Sequence, residues 1–537
     1  MDSEKPTLAT EIVRGHDAGV EELLERQVTD PESPWRGASP DEFGLYWPHS
    51  AAGVLDAFTA ALLTPASKFY KSNVLAERMR LAAGFLGREQ SEQGYVTLPT
   101  ANVNSPPDTG FVVRNVATAT LLARRHGERD LEKLTASFLR RAGKGLAVGG
   151  VHTPNHRWVV SAALAQIHEL YPDPALVGRI DQWLAEGIDI TKDGFYSERS
   201  TLGYGPTCNN ALIAVASKLE RPELLQPVRD NLDATIYLIH PGDEVVTEIS
   251  RRQDADSRAG RGLSRYWFAS RYLAAHDGNG RYAALADLGT GTPSLSDVME
   301  YPELLQEGPA RVPLPDTYER QFESVGLTRV RRGETSANVL LGNSRFFSVR
   351  RGEAVINAVR LATAFFGKGQ FVPDTMEKTR DGYHLRQRAV EGPYYQPFEP
   401  PRRIGASVEA WYGAREERPK SEVSYLEQSA IVTELPSGFR LQLRSTGPTK
   451  MPVSVEINFR EGGTLDGVRA SSRAADTWLL AEGGGTYQLG NTRIRLGPGA
   501  HPHEYTQVRD TEPKLSGPSV YVTGYTPFVH TIEFHWS

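Results

Sequence analysis

Residues 152–170, HTPNHRWVVSAALAQIHEL, join a polar loop to a segment that is apolar on nearly every side. Thr153 is a favourable N-cap residue and Pro154 suits the first helical position, so the stretch predicts a helix with Asn155, His156 and Arg157 in its first turn. A helix that is apolar nearly all round is buried. We therefore predict an inner helix whose polar N-terminus opens at a surface of the protein.

Similar segments recur along the first half of the chain. Their starts lie roughly 50 residues apart, a spacing typical of stacked helix pairs. The predicted buried helices cover residues 50–63, 108–125, 155–170, 207–219 and 257–275. Between them lie amphipathic helices with one charged face, at residues 73–85, 130–141, 173–185 and 223–238. Inner and outer helices in alternation predict an incomplete α/α toroid.

After about residue 310 the pattern changes to short alternating strands separated by glycine-rich turns. The predicted strands include residues 338–341, 346–350, 439–443, 453–459, 477–481 and 530–536. A proline-rich piece, 307–315, is the expected linker. The predicted fold class is thus α+β multidomain, with an N-terminal α/α toroid catalytic domain (1–310) and a C-terminal antiparallel β-sandwich (311–537).

The composition is that of an ordinary globular protein. Of 537 residues, 39% are hydrophobic and 23% charged, and the formal net charge of −6 argues against a nucleic-acid or membrane partner. The single cysteine, Cys208, excludes an intrachain disulfide. Residues 1–5 lack the apolar stretch of a secretory signal. We expect a secreted or periplasmic location if a signal peptide was removed and a cytoplasmic one otherwise; the oligomeric state is left unassigned.

The loops that lead into the predicted inner helices are rich in His, Asn, Asp, Arg and Tyr. In a toroid all inner helices run in the same direction, so these loops gather at one end of the ring. We call them the entry loops: residues 45–49, 104–108, 152–158, 193–210 and 250–254. Polar groups concentrated at one predicted end indicate a functional cleft.

The third and fourth entry loops carry the candidate chemistry. A helix N-terminus favours an anion and disfavours a protonated imidazole, which suits Asn155 and a neutral His156 beside a carboxylate. Tyr204 lies between two glycines just before the predicted helix start and could transfer a proton if a cation such as Arg199 lowers its pKa. Tyr196 is the alternative tyrosine.

These residues resemble those of the heparinase II/III-like and alginate-lyase families of polysaccharide lyases. The resemblance consists of Asn155-His156 at one helix entry, Asp193-Gly194-Phe195-Tyr196 in the next loop, and Tyr204 about 48 residues after His156. It implies a toroid followed by a β-sandwich and β-elimination on a uronic-acid glycan, giving a 4,5-unsaturated uronate. It also implies that Asn155 neutralises the uronate carboxylate, that His156 is the base or supports it, and that Tyr204 protonates the leaving O4 or performs both proton transfers.

The predicted function is that of a carbon–oxygen lyase acting on an acidic poly- or oligosaccharide. No metal or other cofactor is expected, and we find no His-x-Asp motif for the zinc that heparinase-type lyases often carry. Besides the catalytic Asn155, His156 and Tyr204, the predicted substrate-binding residues are Arg157, Trp158, Arg199, His49, Asp108, Arg251 and Arg252.

Two other functions fit the same loops. A glycoside hydrolase would use paired carboxylates, for which Asp108, Glu198, Glu248 and Asp254 are available. A non-catalytic glycan-binding protein would stack sugars on Tyr46, Trp47 and Trp158. The first would yield products without the conjugated alkene, and the second would yield no products.

Overall fold

A computed structural model of the protein describes residues 7–256, 262–289, 293–480 and 482–536. The chain divides into two compact units, which we call unit 1 (Met1–Pro315) and unit 2 (Asp316–Ser537). Unit 1 is helical and unit 2 consists mainly of strands. Within the described ranges, no helix combines the length and the apolar character needed to cross a membrane.

Unit 1 is built from inner and outer helices. The inner helices are α2 (Pro48–Leu63), α4 (Pro106–Arg125), α6 (Pro154–Leu170), α8 (Tyr204–Lys218) and α10 (Trp267–Asp277). The outer helices are α1 (Leu8–Arg26), α3 (Asn73–Glu89), α5 (Arg129–Leu146), α7 (Pro174–Ala185), α9 (Leu225–Thr235) and α11 (Gly280–Leu288). A short hairpin of β1 (Val96–Leu98) and β2 (Asn102–Ser105) precedes α4.

The inner helices pack side by side in chain order, α2 on α4, α4 on α6, α6 on α8 and α8 on α10. Each also packs on the outer helix that follows it in the chain. Their buried side chains are mostly Ala, Val and Leu, which allow close approach. The predicted incomplete α/α toroid is confirmed.

The short helix α12 (Leu295–Glu300), near the end of unit 1, contacts helices near its beginning. It packs on α2 and α4. Ser296 Oγ donates to Asp56 Oδ2 in α2 at 2.7 Å, and Thr118 Oγ1 in α4 donates to Glu300 Oε2 at 2.6 Å. Lys218 of α8 forms an ion pair with Glu300 at 2.6 Å. Buried polar contacts therefore join α12 to three inner helices.

Several helix starts differ from the sequence prediction. α8 begins at Tyr204 rather than near residue 207, because Ser200 supplies the acceptor for the Tyr204 backbone N–H, 2.9 Å from Ser200 Oγ. Thr153 occupies the N-cap position of α6, as predicted, but its side chain makes no capping bond. The first part of the predicted helix 257–275, residues 257–261, lies outside the described residues.

A small backbone turn recurs in the connections that lead to inner helices. In residues 41–45, 91–95 and 191–195, the first residue's N–H donates to the fifth residue's carbonyl and the fourth residue, a glycine, donates to the first. Gly194 has φ +85°, and an added Cβ would lie 2.1 Å from the Asp230 carbonyl oxygen in α9. Only glycine fits where the turn packs so closely on the outer helix.

Unit 2 contains two large sheets. One has the strand order β14-β15-β18-β12-β7-β6-β5-β4-β3 and the other β13-β16-β17-β19-β11-β10-β9-β8. The strands of the first are β3 (Thr317–Phe322), β4 (Leu327–Arg332), β5 (Thr335–Leu340), β6 (Phe347–Arg351), β7 (Ala354–Thr363), β12 (Pro452–Phe459), β14 (Val468–Ala470), β15 (Thr477–Leu480) and β18 (Ser519–Tyr525). Those of the second are β8 (Thr375–Thr379), β9 (Gly382–Tyr395), β10 (Lys420–Leu435), β11 (Gly438–Thr446), β13 (Thr464–Asp466), β16 (Gly485–Leu489), β17 (Thr492–Gly497) and β19 (Phe528–Trp536). Helix α13 (Val408–Arg415) lies between β9 and β10 in the chain.

The two sheets of unit 2 pack face to face around one apolar core. Phe347 of β6 lies 5.3 Å from Phe439 of β11 between ring centroids, which joins one sheet to the other. The predicted β-sandwich is confirmed, with one exception to its antiparallel order, the parallel pair β15 and β18. The last residue of the predicted strand 477–481 lies outside the described residues.

Candidate active site

The N-terminus of α6 holds a buried amide–carboxyl pair. Asn155 Nδ2 donates to Glu198 Oε2 at 2.6 Å and to Thr153 Oγ1 at 3.1 Å. Asn155 is 1% exposed and Glu198 is 6% exposed. Within the described part of the chain, Asn155 Oδ1 and Glu198 Oε1 have no hydrogen-bond partner. The third entry loop is thus joined to the fourth through a short hydrogen bond.

Arg252, from the fifth entry loop, extends this pair to Tyr204. Arg252 Nη1 lies 3.6 Å from Glu198 Oε1, and the guanidinium carbon lies 4.8 Å from the centre of the Tyr204 ring. Tyr204 is the first residue of α8 and is half-buried. We call Asn155, Glu198, Arg252 and Tyr204 the Asn155 cluster.

Asp254 fixes the two loops that supply Glu198, Tyr204 and Arg252. Its Oδ2 accepts from Ser200 Oγ at 3.0 Å and from the backbone N–H of Leu202 at 2.9 Å. Its Oδ1 accepts from Ser250 Oγ. A carboxylate with these partners holds the backbone of both loops, so its role is to position the cluster.

His156 lies near Arg252 of the cluster. It is 7% exposed, and its ring centroid lies 4.7 Å from that of His152. No described residue forms a hydrogen bond with its Nδ1. Burial, together with the charges of His152 and Arg252, lowers the pKa of His156 to about 4, against the opposing charge of Asp108. The prediction of a neutral imidazole at this helix N-terminus therefore agrees with its surroundings.

Asp108 lies near both His49 and His156. Asp108 acts on the pKa of both histidines, and burial lowers the pKa of His49 below its ordinary value. The Asp108 carboxylate accepts from Asn102 Nδ2 at 2.8 Å and from Ser105 Oγ at 2.5 Å. Because Ser105 is the N-cap of α4, Asp108 completes the start of that helix and adds negative charge near two imidazoles.

The structure separates Arg157 and Trp158 from this group. Arg157 forms ion pairs of 3.0 Å with Glu186 and with Asp189. Trp158 has 0% exposure, and its indole N–H donates to Asp189 at 2.8 Å. A ring without exposed surface cannot stack on a sugar, so the prediction that Trp158 binds substrate is corrected. Both side chains hold α6 to the connection after α7.

Arg199 and Arg251 flank the Asn155 cluster. Burial and the charge of Arg251 lower the pKa of Arg199, which places the two cations near each other. The backbone N–H of Arg251 donates to the Glu198 carbonyl at 3.0 Å. The alternative tyrosine, Tyr196, is buried and donates to Asn209 Oδ1 at 2.9 Å, and burial raises its pKa well above the usual range. Tyr204 is therefore the tyrosine of the cluster.

Glu198 was predicted from the sequence only as a possible hydrolase carboxylate, and His152 was not among the predicted site residues. The sequence feature that could have indicated Glu198 is its position six residues before Tyr204, in the fourth entry loop. Its contact with Asn155 joins two repeats, however, and no spacing rule predicts such a contact. Within the described ranges, no group of three or more His, Cys, Asp or Glu side chains could hold a metal ion.

Together, these groups form a site suited to an anion next to an exchangeable proton. The α6 and α8 N-termini, Arg252, Arg199 and Arg251 provide positive potential. His156 provides a neutral nitrogen and Tyr204 a hydroxyl beside a guanidinium. Charge stabilisation and proton transfer at neighbouring atoms are both available.

No family model matches the chain, and no curated protein matches it. Among solved structures, a chondroitin AC lyase of Streptomyces coelicolor A3, in complex with chondroitin sulphate, is similar with a TM-score of 0.55 and 13% identity, over 100% of this chain and 78% of that chain. A Paenibacillus xanthan lyase is similar with a TM-score of 0.53 and 10% identity, over 99% of this chain and 56% of that chain. This chain thus spans little more than half the length of the xanthan lyase. Heparinase III is similar with a TM-score of 0.49, 11% identity and coverage of 100% and 90%. The chain therefore has the fold of known polysaccharide lyases, an α/α toroid with a β domain.

Proposed function

We propose that the protein is a polysaccharide lyase that cleaves a uronic-acid-containing glycan by β-elimination. The observation that carries the proposal is the Asn155 cluster beside a neutral His156, on a fold shared with polysaccharide lyases. In this reaction a base removes the hydrogen on C5, the bond from C4 to the glycosidic oxygen breaks, and a 4,5-unsaturated uronate is formed.

The positive surroundings of the cluster support the first half of the reaction. The hydrogen on C5 is weakly acidic because the neighbouring carboxylate is already negative and the enolate adds a further charge. Arg252 and the α6 N-terminus are placed to offset that charge, as a preorganised donor does in an oxyanion hole. One such donor typically contributes about 3–4 kcal/mol to the transition state.

Two residues are candidates for the proton transfers. His156 is neutral and has an unpartnered nitrogen, so it can accept a proton. Tyr204 has a hydroxyl that can donate or accept a proton, and its ring lies beside the Arg252 guanidinium. We assign Tyr204 as the proton donor to the leaving O4, and His156 or Tyr204 itself as the base. Each transfer typically contributes about 10²–10⁴-fold to the rate.

The test is the ultraviolet absorbance of the conjugated alkene during incubation with a panel of acidic glycans. The panel contains alginate, glucuronan, heparinoid and rhamnose-glucuronate glycans, with chondroitin sulphate and xanthan added because similar lyases are named for chondroitin and xanthan. We expect absorbance to rise with at least one member. Release of sugars without any absorbance change would overturn the proposal.

Two tyrosine variants connect the activity to the cluster. Tyr204→Phe should lose about 10²–10⁴-fold in kcat. Tyr196→Phe is the matched control, because it removes a phenol from the same loop but from the core. A glycoside hydrolase would instead tolerate Tyr204→Phe and lose activity on amide substitution of a carboxylate. Asp108 and Asp254 are held by helix-cap and loop contacts, which disfavours their use as a hydrolytic pair.

A further inference from the structure

Both N–H groups of the Asn155 amide are already occupied. They point to Glu198 Oε2 and Thr153 Oγ1, so the remaining group of the amide is its oxygen, Oδ1. This oxygen is buried and has no hydrogen-bond partner among the residues that the structure describes. A uronate carboxylate carries no proton and cannot bond to an oxygen acceptor. In this orientation Asn155 opposes the very group that it is proposed to bind.

Rotation of the amide about its last bond would exchange the two groups. Nδ2 would then take the place of Oδ1, and Oδ1 would face Glu198 and Thr153. The hydroxyl of Thr153 can donate as well as accept, so it satisfies either orientation. An ionised Glu198 has acceptors only, whereas a protonated Glu198 has one hydroxyl to donate. The protonation state of Glu198 therefore selects the amide orientation.

We infer, building on the proposed function, that Glu198 is a positioning residue which, when protonated, turns the Asn155 amide so that Nδ2 faces the substrate carboxylate. The proton comes from solvent and is bound by Glu198 as the uronate enters. Glu198 takes no part in bond breaking. It acts by setting the orientation of the Asn155 amide.

The surroundings of Glu198 favour the protonated form. It is 6% exposed, and burial raises the pKa of its carboxyl above the ordinary value. The carboxylates of Asp189 and Asp254 act in the same direction, while the Asn155 hydrogen bond and Arg252 oppose them. A bound uronate adds one more negative charge nearby and draws part of the Arg252 charge to itself. Substrate binding and protonation of Glu198 should thus be coupled.

The coupling can be measured without turnover, in a Tyr204→Phe background. Size-fractionated oligosaccharides of every glycan in the panel are titrated by calorimetry, in buffers of different ionisation enthalpy, across the pH range in which the protein is folded. Above the pKa of Glu198 we expect uptake of one proton on binding and a fall in affinity of about tenfold for each pH unit.

The informative variant is Glu198→Gln, because glutamine donates to Asn155 Oδ1 at every pH. We expect its affinity to stay constant over the range in which the parent weakens, with no proton uptake from this site. Glu186→Gln is the matched control, since Glu186 is an exposed carboxylate paired with Arg157. That control should retain the proton uptake of the parent.

Equal proton uptake in the parent and in Glu198→Gln would overturn the inference, and so would loss of binding by Glu198→Gln at every pH, which would show that the ionised form is required. If that variant does not fold, the parent decides: binding without proton uptake overturns the inference. Absence of binding to every oligosaccharide would instead overturn the proposed function.

Discussion

Arg252 connects two other members of the Asn155 cluster, since it contacts both Glu198 and Tyr204. Arg252→Ala should reduce kcat/KM by about 10²–10³-fold, because it removes the cation beside the phenol and the carboxylate. Arg157→Ala is the comparison, because Arg157 was predicted to bind substrate but is engaged by Glu186 and Asp189. We expect it to lower the thermal midpoint and leave kcat within a few-fold. Equal loss of activity in both variants would contradict this assignment.

The lowered pKa of His156 makes a prediction about pH. A histidine with an ordinary pKa loses its free nitrogen below about 6.5. Burial lowers the pKa of His156 to about 4, so the free imidazole persists down to that pH. The acid limb of kcat/KM, which reports the free enzyme, should therefore lie near pH 4. A limb near 6.5, or an unchanged limb in His156→Gln, would exclude His156 as its source.

At the scale of single elements, the recurring turn makes a testable claim about packing. Gly44 and Gly194 occupy the same position of two turns, with φ of +78° and +85°. An added Cβ meets no atom within 4 Å at Gly44 but lies 2.1 Å from the Asp230 carbonyl at Gly194. Gly44→Ala should cost about 1–2 kcal/mol, the usual penalty of a left-handed side chain. Gly194→Ala should cost more, because the outer helix must also move.

The measurement is the free energy of unfolding of both variants in urea. The difference between them isolates the steric contact with α9, since the backbone conformation is the same. Equal costs would mean that the turn does not rest on the outer helix.

The helices were largely predictable from apolar periodicity, because buried and half-buried faces differ in composition over many residues. The start of α8 was not, since Gly203, Gly205 and Pro206 suggest a loop where a Ser200 side chain in fact supports the first helical turn. The parallel pair β15 and β18 was missed because strand direction depends on distant partners. The loops of the candidate site could be predicted from the spacing of the helical repeat. The hydrogen bond that holds Trp158 could not, because its partner, Asp189, lies 31 residues away in the chain.

At the scale of the whole molecule, the contacts of α12 join the last helix of unit 1 to the first inner helix. Asp56 in α2 is half-buried and accepts a hydrogen bond from Ser296, and loss of solvent around its carboxyl raises its pKa to about 7, well above the usual 3.8. When the pKa of a carboxyl is higher in the folded state than in the unfolded state, its contribution to the stability of the protein decreases as the pH rises from the unfolded pKa to the folded pKa. The stability of unit 1 should therefore fall between about pH 4 and about pH 7.

Asp56→Asn removes this effect, because the amide cannot ionise and can still accept from Ser296. Relative to the wild type, the variant should gain stability with increasing pH, by about 1.4 kcal/mol at most for each unit of the pKa difference. Thermal midpoints of both proteins over this range provide the measurement, with the exposed Asp130→Asn as a control. Parallel curves for wild type and Asp56→Asn would refute the prediction.

The recurring turn also bears on how such a protein changes over time. Each turn is held by its own two backbone hydrogen bonds, and an inner helix follows it in the chain. The stretch between the turn and the helix is therefore fixed at both ends. That stretch has two residues before Pro48, ten before Pro106 and eight before Tyr204. The stretches between a turn and the next inner helix therefore differ in length within one ring of helices. We expect each stretch to tolerate insertions and deletions independently of the others. If the proposed function is right, exchanging one of these stretches should change which glycan the protein binds while the helices of the ring stay as they are.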